Sequence, residues 1–598
     1  MLFHLLGVMS LVSGVAVASK PSKPNIILIL TNDQDVHMQS MDYMPLLKTY
    51  MVDKGTLYKR HYWYVENYFH NLPDAATESS QYNCSMLSSL SQHHDWKVGA
   101  QLQCHRHDPT LCQGLNDDYL PVWLQDNGYN TYYTGKLFNA HTTENYDKPH
   151  AAGWTSSDFL LDPFTHSYWN ATWQKDFEKP VSRGGYYNTD DLADKTINYI
   201  REAHATGKPF FLGSAPIAPH DEACINPEAL KGAISPDSPE ARPQILPPFP
   251  ALRHENMFAG LKVPRTPNFN PDKPSGVNWV ARLPRLNQTS IDYNDNYFRR
   301  RLQALQAVDE MVERIVQELE KLNIADNTYV IYTTDNGYHL SQYRLQPGKT
   351  CGFETDIHIP LLIRGPGIPK GAIVDVVTNH TNLVPTIFRM AGIPAKPEFD
   401  GVAVPLTNNE IFKGLSARAE HIAVEYWGLS IDESWNSSIS LGNTYKGIRL
   451  QSKDYSFYYA VHCTNEHELY DISADPYQIK NLLPSGPNGT GIAITDYNST
   501  TKVYNRPPVN FISRLDSMMM VMKSCKGKTC QNPWSTLRPE SDVRSLEDAL
   551  DKKYDDFYLQ SARSNSVRFS MCANGYIVAV EGPQNPLVYQ TADWSAMT

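Results

Sequence analysis

The sequence predicts an α/β fold: a large, mostly parallel sheet between helices, then a smaller C-terminal domain built on an antiparallel sheet. Three observations lead there. Short continuous apolar runs, bounded by polar residues, recur as far as residue 334 and read as buried parallel strands. Stretches of helical periodicity alternate with them, which is the pattern of a doubly wound sheet. Beyond about residue 400 the texture changes to brief strand-like runs separated by short polar turns, which suits an antiparallel meander.

The elements follow in order. Residues 1–18 are apolar and end in Ala16, Val17 and Ala18, the small-x-small pattern of a cleaved leader, so a mature chain begins near Ser19 and is secreted. Residues 25–30 form the first strand and run into Asn32, Asp33 and Asp35. Ligands of open α/β sheets bind outside the carboxyl ends of strands, so polar residues there are site candidates. Helices are expected over 44–54 and 120–127. A strand over 129–134 ends at Lys136, and one over 208–213 leads to His220. Residues 221–290 are rich in proline and read as surface loops. Leu302, Leu305, Val308, Met311, Val312, Ile315, Val316 and Leu319 recur at spacings of three and four, giving a helix over 297–322 with one apolar face. A strand over 328–334 then delivers Asp335, Asn336 and Gly337. The later strands fall at 444–450, 455–461 and 468–472. The division is a leader (1–18), a catalytic-type domain (19–400) and a smaller α+β domain (401–598).

Composition bounds the function. The 598 residues correspond to about four domain-sized units by length alone. Lys and Arg total 53 against 64 Asp and Glu, a net charge of −11, which argues against a nucleic-acid binder. With 41% hydrophobic and 20% charged residues, the chain can bury a core and is not generically disordered. No segment after the leader approaches the roughly 18 apolar residues of a membrane span, so no transmembrane anchor is expected. Asn-x-Ser/Thr sites at Asn83, Asn170, Asn287, Asn379, Asn436, Asn488 and Asn498 fit the secretory route.

The chemistry lies at the strand ends. Asp33, Asp335 and Asn336, with Asn32, offer the oxygen donors that hard cations such as Ca²⁺ prefer, although an Asp-Asn-Gly is also an ordinary tight turn. Few cysteines or histidines accompany them, which disfavours zinc there. Lys136 and Lys349 are compact cations suited to sulfate or phosphate oxygens. His220 is a candidate general acid or oxyanion donor.

Together these clusters resemble the sulfatases. The strand over 25–30 with Thr31–Asp35 is similar to their N-terminal strand, Gly135-Lys136 to their Gly-Lys motif, and Pro219-His220 to their substrate-side histidine. Residues 334–342 and 347–354 resemble their second metal motif and second lysine; residues 356–367, 468–472 and Asp475-Pro476 continue the match. The branch indicated is the secreted fungal-type arylsulfatases, related to the glucosamine-6-sulfatases. The resemblance implies an alkaline-phosphatase-like fold, one Ca²⁺ on Asn32, Asp33, Asp335 and Asn336, sulfate oxygens on Lys136 and Lys349, and His220 beside the leaving-group oxygen. It also implies hydrolysis of a small sulfate ester by a formylglycine, made from the cysteine of a Cys-x-Pro-x-Arg motif by a maturation enzyme.

The chain departs from the pattern in four places. Asn32 replaces an aspartate, removing one negative charge from the cation site. Leu137-Phe138 follows Lys136 where the family has x-His, with His141 five residues beyond the lysine. Phe353 stands where a tyrosine is frequent. Most consequentially, residues 63–112 carry no Cys-x-Pro-x-Arg: Cys84 is followed by Ser85, Met86, Leu87 and Ser88, and Cys104 and Cys112 match no better. This stretch, with His70, His93, His94, His105 and His107, reads as a frame or splice discontinuity. An inactive homologue that binds sulfated ligands is the alternative. A two-zinc phosphatase of the same superfamily needs more His and Asp ligands than the sequence offers. Of the nine cysteines, the six outside that stretch (Cys224, Cys351, Cys463, Cys525, Cys530, Cys572) can pair completely, with Cys525 and Cys530 as a local bridge.

Overall fold

The computed structural model describes residues 23–63, 65–68 and 116–582, apart from 140, 225–243, 278, 417–419, 435–438, 441, 484, 486–490, 498–501 and 574–577. The leader and Cys84, Cys104 and Cys112 lie outside the described residues.

The central sheet has eleven strands. At its middle, Asn25–Thr31 pairs in parallel with Thr328–Thr334 on one side and Phe210–Ala215 on the other; Phe210–Ala215 pairs in parallel with Asn130–Gly135, and that with Ser156–Leu160. Antiparallel strands extend both flanks: Thr172–Lys175 and Val181–Ser182 beyond Ser156–Leu160, and Leu361–Arg364 beyond Thr328–Thr334. Thr56–Tyr62 follows, pairing with Leu361–Arg364, His358–Ile359 and Ala372–Asn379. The predicted mixed sheet is therefore present, five of its ten pairings parallel and five antiparallel, and the four strands read from the sequence lie within one or two residues of their expected bounds.

Side-chain alternation explains why the first strand is apolar throughout. Ile27 and Ile29 face one core with Leu305, Val308, Met311 and Ile315 of the long helix, whereas Ile26, Leu28 and Leu30 face the other with Leu120, Leu124 and Phe388. Each such side chain, fully buried, stabilises the fold by about 1.5–3 kcal/mol.

The long helix spans Gln288–Lys321, nine residues earlier than the periodicity suggests. Its first turns are polar and carry no apolar rhythm; Asn287 fixes the start by accepting from the Ser290 N–H at 2.9 Å. Asn188–Ala205 is a further helix that the apolar pattern does not announce, because much of its buried face is Asn188, Thr189, Ala193, Thr196 and Ala203. The expected helix over 44–54 is one short turn, Pro45–Leu47, continuing into a π-turn, Lys48–Val52.

The second sheet runs His467–Asp471, Ser456–His462, Tyr445–Gln451, His421–Gly428, all antiparallel, and takes Val65–Tyr68 as a parallel fifth strand. Cys525–Cys530 and Cys463–Cys572 are disulfides. Complete pairing of the six cysteines does not occur: Cys351 is a buried free thiol. It packs among Phe353, Tyr343 and Tyr458, and its N–H donates to Asp356 Oδ2 at 2.9 Å, so its place is set by the core of the site loop.

Candidate active site

The parallel pairing places Thr31 opposite Thr334 and Gly135 opposite Ala215. The next residues along each strand, Asn32-Asp33, Asp335-Asn336 and Lys136, therefore leave the same edge of the sheet. His220 follows Phe210–Ala215 at that edge. Thr56–Tyr62 is antiparallel to Leu361–Arg364, itself antiparallel to Thr328–Thr334, so the chain beyond Tyr62 also departs there.

All seven sequence-predicted site residues converge, and each is at most 5% exposed. Asp33 is the hub. Its carboxylate accepts from Lys349 Nζ at 2.7 and 2.8 Å and from Asn336 Nδ2 at 2.8 Å, and its N–H donates to Asp335 Oδ1 at 2.8 Å. His220 Nε2 lies 3.7 Å from Asp33 Oδ2, and its Nδ1 lies 3.0 Å from Asp221 Oδ1. The Asn32 amide, in its satisfied orientation, donates to Asp335 Oδ2 at 2.7 Å and accepts from Lys136 Nζ at 2.9 Å. Asn32 thus links a carboxylate to the first lysine.

The backbone is bent to achieve this. Asp33 has φ 67°, in the left-handed region that costs a non-glycine residue about 1–2 kcal/mol. Arg301, on the buried face of the long helix, holds the bend: its guanidinium donates to the Asp33 carbonyl and, at 3.2 Å, to the Pro219 carbonyl. Thr350, next to Lys349, has φ 84°, and its carbonyl accepts from Asn443 Nδ2 at 3.0 Å and Tyr445 Oη at 3.3 Å. Tyr445 of the second sheet and Asn443 just before it thereby fix the loop carrying the second lysine.

Burial and charge act against each other here. Burial alone would raise Asp33, but the Lys349, His220 and Arg301 charges more than offset it and hold the carboxyl well below its usual range. Asp335 is raised by burial and by the facing Asp33 charge, although Lys136 and Lys349 oppose this. Burial pulls Lys136 down, with Asp335 resisting. His220 is raised: burial disfavours its proton, yet Asp221 and Asp33 outweigh that. Two buried carboxylates and two amides, with no sulfur donor among them, form a hard donor set that fits Ca²⁺ or Mg²⁺ better than zinc once the amides turn their oxygens toward the ion.

Sequence reasoning missed several members. Glu433 places Oε1 3.3 Å from Lys349 Nζ and accepts from Tyr338 Oη at 2.7 Å. Burial, with the Asp221 and Asp33 charges, pushes it up to about 7, against the Lys349 charge. It arrives on a loop without motif or periodicity. His166 stacks on His220 at 4.1 Å between ring centroids. Arg301 could have been found, as the charged residue on the apolar stripe of Tyr297, Phe298, Leu302 and Leu305. His141 is buried against Phe138 and Phe159. Phe353 stacks on Tyr343 with centroids 3.6 Å apart.

Comparison with known proteins points to one family. The sulfatase profile matches residues 24–393. Sulfatase ppz1 of Metarhizium majus is 41% identical over 73% of this chain and 89% of its own length. The arylsulfatase of Volvox carteri is 32% identical over 92% of this chain and 82% of its own length. The human N-acetylglucosamine-6-sulfatase is 27% identical over 87% of this chain and 88% of its own. Among solved structures, BT4656 in complex with D-glucosamine-2-N,6-O-disulfate superposes with a TM-score of 0.52 at 20% identity, over 77% of this chain and 93% of that one, and shares the fold. A carboxylate–amide cluster and two lysines at one sheet edge, within a chain matched by that profile over most of its first four hundred residues, lead to one conclusion: this chain belongs to the sulfatase family of sulfuric ester hydrolases.

Proposed function

We propose that this site binds the sulfate group of a small sulfate ester, of the aryl or alkyl kind, and hydrolyses it provided the mature product contains the nucleophile that attacks sulfur. The observation that carries the reading is the buried convergence of Asp33, Asp335 and Asn336 with Lys136, Lys349 and His220. Asp33, Asp335, Asn336 and Asn32 would hold Ca²⁺, which when bound adds positive charge against the sulfate oxygens. Lys136 and Lys349 neutralise two of those oxygens. His220, whose proton Asp221 and Asp33 favour against burial, is placed to donate from Nε2 to the oxygen of the departing alcohol or phenol. None of the nine cysteines opens a Cys-x-Pro-x-Arg motif, so no step is assigned to a formylglycine, nor to a maturation enzyme that would make one.

That same absence favours a second reading, in which the chain binds sulfated ligands without turning them over. A chromogenic aryl sulfate separates the two on the purified full chain with Ca²⁺ present: turnover abolished by Lys349→Ala supports hydrolysis, and saturable binding without turnover supports the binding reading. Neither binding nor turnover would sink both. Secretion is part of the proposal. It is supported by the leader, by the two disulfides, and by exposed acceptor sites at Asn170 and Asn287. Among the described residues no helix is long and apolar enough to cross a membrane.

A further inference from the structure

Beside the sulfate site lies a group of side chains that the reaction does not use. His37 belongs to the loop that carries Asp33 and Asp35. Glu354 and His358 flank the short helix Glu354–Ile357. His37 Nε2 lies 3.0 Å from His358 Nδ1, His358 Nδ1 lies 3.9 Å from Glu354 Oε2, and the three ligand atoms all fall within 4.8 Å of one another. We propose that His37, His358 and Glu354 form a second metal site, a two-histidine, one-carboxylate centre for Zn²⁺ that fastens the Asp33 loop to the Glu354–Ile357 helix.

The surrounding groups orient the donors. His358 Nε2 lies 2.7 Å from the Lys59 carbonyl, which can only accept, so Nε2 carries the proton and Nδ1 presents its lone pair to the group. Tyr62 stacks on the same ring at 5.0 Å and fixes its plane. Glu354 Oε1 is held by Arg449 Nε at 2.6 Å, which leaves Oε2 for the ion. Burial lowers both imidazoles, so the rings are neutral, as ligands must be.

Donor spacing and chemistry select the ion. Zn–N bonds of about 2.0–2.1 Å in a tetrahedral site put two nitrogens roughly 3.3 Å apart, close to the separation seen here. Two imidazoles and one carboxylate suit Zn²⁺ rather than Ca²⁺. Without the ion, the His37 Nε2 proton bridges to His358 Nδ1. On binding, that proton moves to His37 Nδ1 and the metal takes its place, with no net proton released. His37 and His358 are both half-buried rather than sealed, so an ion can enter. The comparable group of His339, Cys351 and Asp356 is different. Its carboxylate is already engaged by His339 Nδ1, the Cys351 N–H and Thr355 Oγ1.

The test is the metal content of the full chain after equilibration with Zn²⁺ and excess Ca²⁺, together with the visible spectrum of a Co²⁺-substituted sample. Wild type is compared with His358→Ala and with His37→Ala, the latter a half-buried ring outside the hydrophobic core and expected to fold. The histidines and cysteines of residues 63–112 can hold zinc themselves, so the difference between chains is the readout. The proposal expects each variant to hold one zinc fewer than wild type, to lose the tetrahedral Co²⁺ absorption, and to bind zinc at least about 100-fold more weakly at this site. Wild type without zinc, or equal zinc and equal spectra in all three chains, would overturn it.

Discussion

At the level of single residues, the site is a balance of buried charges, and Glu433 is the member that shifts it. Its carboxylate opposes the anion that Lys349 is placed to bind, and its ionisation is centred near pH 7. Below that value the group is neutral and Asp33 is the carboxylate that still faces Lys349. Above it the Glu433 carboxylate forms and competes with sulfate. Sulfate affinity of the wild-type chain should therefore fall as pH rises from about 6 to 8. Glu433→Gln keeps an acceptor for Tyr338 and removes the charge. It should bind sulfate about tenfold more tightly than wild type at pH 8 and equally at pH 5.5, as read by calorimetry. Equal affinities at pH 8 would show that the carboxylate does not act on Lys349. The charged residues that close a strand were legible in the sequence: Asp33, Lys136 and Asp335 each follow an apolar run, and the position defines the candidate. Glu433, Asp221 and His166 were not, because they converge through the tertiary fold and no local pattern marks them.

At the level of elements, the long helix does two jobs. One face supplies apolar packing beneath the sheet, and Arg301 on that face braces the strained Asp33 turn. Replacing Arg301 with Met keeps much of the packing volume but strands the Asp33 and Pro219 carbonyls and the Asp35 carboxylate. Urea denaturation should show a loss of about 3–5 kcal/mol. A loss below 1 kcal/mol would mean that the guanidinium is not the brace. The strands were readable because parallel strands buried on both faces must be apolar throughout, and that leaves a signal even in a short window. Several helical stretches escaped, Leu383–Met390 and Pro508–Met522 among them, and for two others the reason is physical. The first turns of Gln288–Lys321 are polar and depend on the Asn287 cap, and the buried face of Asn188–Ala205 interrupts Leu192, Ile197 and Ile200 with small and polar residues. Both are positioned by neighbours rather than by an apolar rhythm.

At the level of the whole molecule, the second sheet is part of the site's support. It steadies the Lys349–Thr350 loop through Asn443 and Tyr445, and it anchors Glu354 through Arg449. Cys463–Cys572 ties this sheet to a segment 109 residues further along. Closing so long a loop restricts the unfolded chain far more than the Cys525–Cys530 bridge, which spans 5 residues. On the chain-entropy account, Cys572→Ser should cost about 4–5 kcal/mol, whereas Cys530→Ser should cost about 2 kcal/mol. Denaturation of the two single variants would reveal the order, and a reversed order would contradict this account. The central claim is that the sheet edge holds a sulfate group between two buried lysines with a hard cation beside them. Calorimetric titration of the purified full chain with inorganic sulfate, with and without Ca²⁺, tests it most directly. Binding that strengthens with Ca²⁺ and disappears in Lys136→Ala is the predicted result. No binding in the wild-type chain, or binding unchanged by both Ca²⁺ removal and Lys136→Ala, would contradict it.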